Sequence, residues 1–187
     1  MRTPFKNHSM ILLHSANESA GRHAVIVLGL LTLALLAGCL GGSVGQEGPV
    51  SLSLASDDNV THEFEVSVVD GEVGPNAVAF HRDNQSVVYT GYGQGLTTVN
   101  YNTTIHHVRR IELPANRTRT VGTHRVPAGE TKRINVTDFE TGDTLVVFDR
   151  REGRVVALVA ANCDESGLDF VSIIAGSART SAAYGCY

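Results

Sequence analysis

The strongest constraint on this chain is a run of seventeen residues without a charged side chain, Ala24–Leu40. As a helix the run would span about 25 Å, the short end of what crosses a ~30 Å hydrocarbon core. Three basic residues precede it, Arg2, Lys6 and Arg22, against a single acidic one. Because basic residues before an apolar segment stay in the cytoplasm, the sequence predicts that everything after the run lies outside the membrane.

The run ends in Leu36-Ala37-Gly38-Cys39, and a Gly-rich segment follows it as far as Pro49. This arrangement resembles the lipobox of secreted membrane lipoproteins. The resemblance implies that the Cys39 thiol receives a diacylglyceryl group and that cleavage before it removes residues 1–38 as a signal peptide. Membrane lipid would then be a partner through acylated Cys39, on the outer face of the cytoplasmic membrane. The alternative is an uncleaved transmembrane helix that ends in a plain cysteine.

The predicted organisation has three parts: a signal peptide over 1–38, a Gly-rich tether over 39–49 and an extracytoplasmic domain over 50–187. The mature chain would hold 149 residues with a net charge of −6. It has no basic stripe, and this argues against nucleic acid as a partner. Arginine outnumbers lysine thirteen to two. With the acidic balance, this composition is similar to that of small surface lipoproteins of salt-loving archaea, since acidic surfaces bind water and cations in a screened medium.

Two cysteines, Cys163 and Cys186, lie in the predicted outer domain. In an oxidising compartment they most simply form one disulfide, whose loop closure would stabilise the fold by roughly 3 kcal/mol in the loop-entropy model. Because Cys186 is the penultimate residue, the bridge would hold a tail that otherwise frays. The alternative is one buried thiol and one loose thiol.

Asn-x-Ser/Thr triplets are abundant in the predicted mature part, where composition alone would give about one. Such triplets accept N-linked glycans in exported proteins, and this predicts a glycoprotein. The five candidate asparagines are Asn59, Asn84, Asn102, Asn116 and Asn135.

The outer domain is predicted to be all-β, because strand-like segments recur between turn residues and no helical apolar period persists. Thr61–Val69 alternates apolar and polar residues, and we expect it to form a hairpin with Ser51–Ala55. Leu145–Phe148 and Val155–Val159 are continuously apolar, so both should be buried on two faces, with a hairpin turn at Arg150–Gly153. The other predicted strands are Ala77–His81, Ser86–Thr90, Leu96–Tyr101, Ile105–Leu113, Arg119–Arg125, Thr131–Val136 and Phe170–Ala175.

About ten short strands in one domain favour a two-sheet sandwich, loosely immunoglobulin-like, with a closed barrel as the alternative. Gly91–Gly95 is glycine-rich without the lysine or helix start of a phosphate loop, and we expect a hairpin end there.

The sequence contains no convincing catalytic motif, and it predicts no catalytic residue, no metal site and no cofactor. Adjacent His106 and His107 would point to opposite faces of a strand, so they could not jointly bind one metal. A zinc site from scattered histidines and a calcium site in either acidic loop stay open as alternatives. Those residues are His62, His81, His106, His107 and His124, and the acidic loops are 138–143 and 163–169.

We therefore expect a membrane-anchored surface lipoprotein, not an enzyme, with a non-catalytic binding or structural role and a protein or glycan partner that the sequence does not identify. The first alternative is an extracellular enzyme or metal-binding module whose residues converge only in three dimensions. The second is an accessory subunit of a transporter or envelope complex.

Overall fold

The computed structural model describes residues 48–92, 94–101 and 107–187. These residues form twelve β-strands, and the described part of the chain holds no helix. It therefore holds no helix that is long and apolar enough to cross a membrane. Ala24–Leu40 and Cys39 lie outside the described residues. The strands are β1 Val50–Ser56, β2 His62–Val69, β3 Val73–Arg82, β4 Val87–Tyr92, β5 Gly95–Asn100, β6 Val108–Glu112, β7 Thr118–Val126, β8 Thr131–Val136, β9 Thr144–Arg151, β10 Arg154–Asn162, β11 Leu168–Ala175 and β12 Thr180–Cys186.

The strands form two sheets that pack against each other, which confirms the predicted sandwich. The smaller sheet has the order β12-β11-β1-β8, in which β1 runs parallel to β11 and antiparallel to β8. The larger sheet has the order β4-β3-β6-β10-β9-β2-β7, and β5 also pairs with β10. Each predicted strand overlaps an observed one. Only β12 has no counterpart in the prediction, because its sequence, Thr-Ser-Ala-Ala-Tyr-Gly-Cys, is poor in β-branched and large apolar residues.

The predicted hairpin between the first two strands is wrong. β1 and β2 belong to different sheets, and the turn between them carries the chain across the sandwich. Side-chain hydrogen bonds hold this corner: the Ser56 hydroxyl donates to the Val60 carbonyl at 2.9 Å, and the Val60 amide donates to Asp58 Oδ1 at 3.0 Å. Such local bonds compete with the strand ladder that a hairpin needs.

The hairpin between β9 and β10 is confirmed. Its two loop residues, Glu152 and Gly153, both have positive φ angles, 52° and 76°. This is the backbone of a type I′ turn, whose twist matches that of the flanking strands. The expected hairpin at Gly91–Gly95 does not form, because β4 pairs with β3 and β5 pairs with β10.

Two apolar cores explain why β9 and β10 are continuously apolar. Leu145 and Val147 belong to a core between the two sheets, whereas Val146 and Phe148 belong to a second core on the opposite face of β9. The second core also contains residues of β3, β4 and β6, and among the described residues β6 joins β10 through the pair Val155–Val108. The predicted burial on two faces is therefore confirmed.

Candidate functional site

A fully buried histidine lies in the core between the two sheets. His62 begins β2 in register with Phe64, Val66 and Val68, so its ring points to the same inner face as theirs. Its Nδ1 lies 2.7 Å from Asp149 Oδ1, and its Nε2 lies 3.2 Å from Asp58 Oδ2. Buried polar atoms are costly without partners, and here both ring nitrogens have one.

The same network joins the two sheets. The Thr180 hydroxyl, at the start of β12, donates to Asp149 Oδ2 at 2.7 Å. The Thr180 amide donates to Asn100 Oδ1 at 2.7 Å, and Asn100 Nδ2 donates back to the Thr180 carbonyl at 3.1 Å. We call Asp58, His62, Asp149 and Thr180 the His62 cluster.

The electrostatics of the His62 cluster favour a protonated imidazole. Burial lowers the pKa of His62, but the hydrogen bonds and charges of Asp149 and Asp58 outweigh it, so the pKa is raised above its usual value. Burial raises the pKa of Asp58. The Val60 amide and His62 lower this pKa by more than burial raises it, so the net shift is downward. The two carboxylates thus stabilise the protonated form of the buried His62 ring.

The His62 cluster is a poor acid–base catalyst. A general base needs a ring nitrogen within reach of a substrate proton. Both nitrogens of His62 face carboxylates, and the residue is 0% exposed. We conclude that the cluster stabilises the fold.

A second set of polar side chains borders a cavity of about 190 Å³ beside the core that contains Val146 and Phe148. Tyr92 is 5% exposed, and its hydroxyl makes no well-aligned hydrogen bond among the described residues, although the neighbouring Tyr101 side chain lowers its pKa. The Arg82 Nε is also buried and has no partner among those residues. We call this cavity the tyrosine pocket. Its lining residues are Phe80, Arg82, Val88, Thr90, Tyr92, Val99, Tyr101 and Val108.

The tyrosines of this pocket stay neutral. Burial raises the pKa of Tyr92 to about 12. Burial and the neighbouring Tyr92 also raise the pKa of Tyr101 far above its usual value. The ring of Tyr101 lies 5.4 Å from that of Phe80, in a tilted arrangement. The pocket therefore combines an apolar wall, neutral phenols and one guanidinium.

A close backbone approach sets the position of Tyr92. Its neighbour Gly91 lies directly against the backbone of Gly74 and Pro75, where no Cβ would fit. The pairing of β3 with β4 is irregular between Val73 and Val78, opposite this glycine. Bulges of this kind re-aim side chains, and they are over-represented beside functional sites.

The predicted disulfide is present. Cys163, directly after β10, is bonded to Cys186 at the end of β12, and their Cα atoms are 5.8 Å apart. The bridge ties the larger sheet to the last strand of the smaller one. The predicted lipidation site, Cys39, lies outside the described residues.

Four of the five predicted glycosylation asparagines are exposed, and Asn102 lies outside the described residues. Asn84 Oδ1 accepts hydrogen bonds from the Ser86 amide at 3.0 Å and from the Ser86 hydroxyl at 2.6 Å. The exposed asparagines are Asn59, Asn84, Asn116 and Asn135. Their side chains are accessible to a modifying enzyme.

The remaining histidines have separate surroundings. His81 Nε2 lies 3.0 Å from Glu112 Oε2 on the surface, and burial together with Lys132 lowers the pKa of His124. His107 borders a small polar cavity, and His106 lies outside the described residues. Within the described ranges, no group of three or more His, Cys, Asp or Glu side chains is arranged to hold a metal ion.

In the acidic loop 138–143, the last carboxylate stabilises the surrounding backbone. Asp143 accepts hydrogen bonds from the Gly71 amide at 3.2 Å and from the Glu140 amide at 3.1 Å. In the second loop, 163–169, Asp164 and Glu165 are exposed.

No family model, curated protein or solved structure matches this chain. The sequence reasoning missed both polar groups that the fold assembles. The sequence did contain a signal for the burial of His62, because His62 occupies an inner position of an alternating strand. Its partner Asp149 is 87 residues away, beyond any local pattern.

Proposed function

We propose that this protein is a surface lipoprotein, anchored to the outer face of the cytoplasmic membrane through acylated Cys39, whose β-sandwich has a non-catalytic binding or structural role. The observation that carries the proposal is Leu36-Ala37-Gly38-Cys39, at the end of an uncharged run and before a Gly-rich tether. A thiol at that place lies at the depth of lipid headgroups, where a diacylglyceryl donor is available.

The described domain has features expected outside the cytoplasm. The described residues from Gly48 onward belong to a compact unit with its own cores. The bridge between Cys163 and Cys186 is of the kind that persists in oxidising compartments. The exposed Asn-x-Ser/Thr sites support modification by an extracytoplasmic glycosylation system.

A binding or structural role is favoured over catalysis by how the fold treats its ionisable groups. Among the described residues, the His62 cluster comes nearest to an acid–base centre, and its ring nitrogens are occupied by Asp58 and Asp149. Turnover of a glycan, ester or peptide substrate by the purified protein would contradict this part of the proposal.

Intact-mass spectrometry of the native protein, extracted from membranes with detergent, tests the anchor. We expect the mass of the chain from Cys39 to Tyr187 plus lipid. Cys39→Ala should abolish both the lipid and the cleavage, whereas Cys186→Ala serves as a matched control that keeps the lipid. A mass that retains residues 24–36 and carries no lipid would identify a transmembrane stalk and overturn the proposal.

Glycan occupancy is tested on the same sample. We expect Asn84→Gln to remove one glycan mass, because Asn84 is exposed at the β3–β4 turn. Asn76→Gln is the matched control, since Asn76 lies nearby on β3 without a serine or threonine two residues later. Equal masses for the wild type and both variants, after allowance for the substitution, would mean that Asn84 is unmodified.

A further inference from the structure

The tyrosine pocket contains hydrogen-bonding groups that the fold does not satisfy. The Arg82 Nε is buried and has no partner among the described residues, and the buried Tyr92 hydroxyl makes no well-aligned hydrogen bond there, although the Tyr101 side chain lies close to it. Leaving such a group without a partner costs about 1–3 kcal/mol, and native structures rarely accept that cost without a reason. Arginine can only donate, and a phenol can donate, so the missing partner is an acceptor.

The remainder of the pocket selects the body of the ligand. Most of its wall is apolar, with Phe80, Val99 and Val108 among the lining residues. Its volume of about 190 Å³ is below the ~300–1,000 Å³ of sites for drug-sized ligands. This volume suits a small molecule with an aromatic ring or a short aliphatic chain.

The charge of the pocket determines which polar head group a ligand can carry. Arg82 is a permanent cation, and none of the described residues that line the pocket carries a carboxylate. The high pKa of Tyr92 keeps that phenol protonated and able to donate. Charge-assisted hydrogen bonds from a guanidinium to a carboxylate are roughly twice as strong as those between neutral groups.

The pocket has a route to solvent. Val88 and Thr90 line it from β4, an edge strand of the larger sheet. Val88 is 40% exposed, so one wall of the pocket is also protein surface. A small molecule can therefore enter without opening the core between the sheets.

We propose that the tyrosine pocket binds a small apolar carboxylate, an aromatic or short-chain acid, whose carboxylate accepts hydrogen bonds from Arg82 and Tyr92 and whose apolar body lies against Phe80 and Val99. The inference rests on the binding role proposed above and names its ligand class. It does not depend on the lipid anchor.

The test is a ¹⁹F NMR titration of the full-length protein in non-ionic detergent, with 4-fluorobenzoate as the probe. Empty micelles correct for partitioning of the probe into detergent. We expect saturable line broadening, which 4-fluorobenzylamine, with the opposite charge, should not reproduce. The probe should be recovered unchanged.

Variants locate the binding. Arg82→Gln should weaken the affinity at least about tenfold, in line with the loss of a charged hydrogen bond. Arg109→Gln, an exposed arginine on the neighbouring β6, is the matched control and should bind as the wild type does. Val88→Trp changes a half-exposed position, so folding should survive, and the larger ring should fill the pocket and abolish binding. Near-UV circular dichroism confirms that each variant is folded.

The outcomes separate this site from the wider proposal. Equal affinities in the wild type and folded Arg82→Gln, or no saturable binding up to about 10 mM, would overturn the carboxylate site. If the native chain still carries lipid on Cys39, the surface lipoprotein proposal survives that result. Chemical conversion of the bound probe would do the reverse, because it would keep the site and refute a non-catalytic role.

Discussion

The His62 cluster and the tyrosine pocket place polar side chains in two different cores, and the fold treats them differently. Around His62, both ring nitrogens, both Asp149 oxygens and the Thr180 hydroxyl are hydrogen-bonded to one another or to Asp58. In the described part of the tyrosine pocket, the Arg82 Nε has no partner and the Tyr92 hydroxyl makes no well-aligned hydrogen bond, although the Tyr101 phenol interacts with it. The fold therefore satisfies the polar groups of the His62 cluster, which lies between the two sheets. It leaves donors without good partners in the tyrosine pocket, where the edge strand β4 forms part of the wall.

The largest effect should come from Asp149→Ala, which removes the acceptor shared by His62 and Thr180. Breaking a buried charged pair on one side costs about 3–5 kcal/mol, because the other charge stays buried without compensation. Urea unfolding with the disulfide intact measures the loss. Asp57→Ala, at an exposed carboxylate of the adjacent turn, should change stability by less than about 0.5 kcal/mol. Similar losses in both variants would mean that the His62 cluster is not a stabilising unit.

A smaller loss is expected from Gly91→Ala on the pocket side. The new methyl group would collide with the backbone of Gly74, which cannot move as freely as a side chain, and such overpacking costs about 1–3 kcal/mol. Gly74→Ala is the matched control, since a Cβ there meets no atom within 4 Å. Equal unfolding midpoints for the two variants would show that the β3–β4 approach is looser than described.

Stability should also depend on pH through His62. Its raised pKa means that its stabilising contribution is complete below the unfolded value of 6.5 and is lost as pH rises through the higher folded value. Asp58, with its lowered pKa, contributes above the unfolded value of 3.8 and loses that contribution as pH falls through its folded value. Urea midpoints between pH 3 and pH 10 should therefore pass through a maximum, with an alkaline slope of at most about 1.4 kcal/mol per pH unit for one proton.

His62→Gln should remove the alkaline decline that His62 causes. His124→Gln tests the sign, because burial and Lys132 lower the pKa of His124, so its neutral form favours folding; its contribution increases as pH rises through its lowered folded value and is complete above 6.5. The His124→Gln variant should keep the decline in stability at alkaline pH. An unchanged decline in His62→Gln would assign the pH dependence to other groups.

The smallest effect should come from Tyr92→Phe. The hydroxyl makes no well-aligned hydrogen bond among the described residues, so its removal should leave the free energy of unfolding within about 1 kcal/mol of the wild type, and stabilisation is the expected direction. Thermal unfolding without added ligand measures this change. A clear loss of stability would show that the hydroxyl is satisfied in the free protein, and the contrast with the His62 cluster would disappear.

Local patterns predicted the strands and missed the long-range pairing. The turn at Glu152 and Gly153 was predictable because a two-residue loop of this chemistry closes adjacent strands. The corner at Ser56 and Asp58 looks similar in sequence, yet it separates two sheets. Local composition does not encode which sheet a strand joins, and the β1–β2 hairpin prediction was wrong for that reason.

The candidate sites show the same limit. The disulfide was predictable because few cysteines were available to pair. The tyrosine pocket was not, because Arg82, Tyr92 and Tyr101 come from β3, β4 and the residue after β5, and only the folded structure brings them together. The lipid anchor remains a prediction from the sequence.

The parallel pairing of β1 with β11 has a consequence for how the chain reaches its fold. Ser51 lies beside Phe170, so β1 lacks one of its two neighbouring strands until more than a hundred further residues have been made. Contacts this distant along the chain slow folding, since a long loop must close before they form. During synthesis β1 could pair only with β8 until β11 has been made, so β11 and β12 would complete the smaller sheet last.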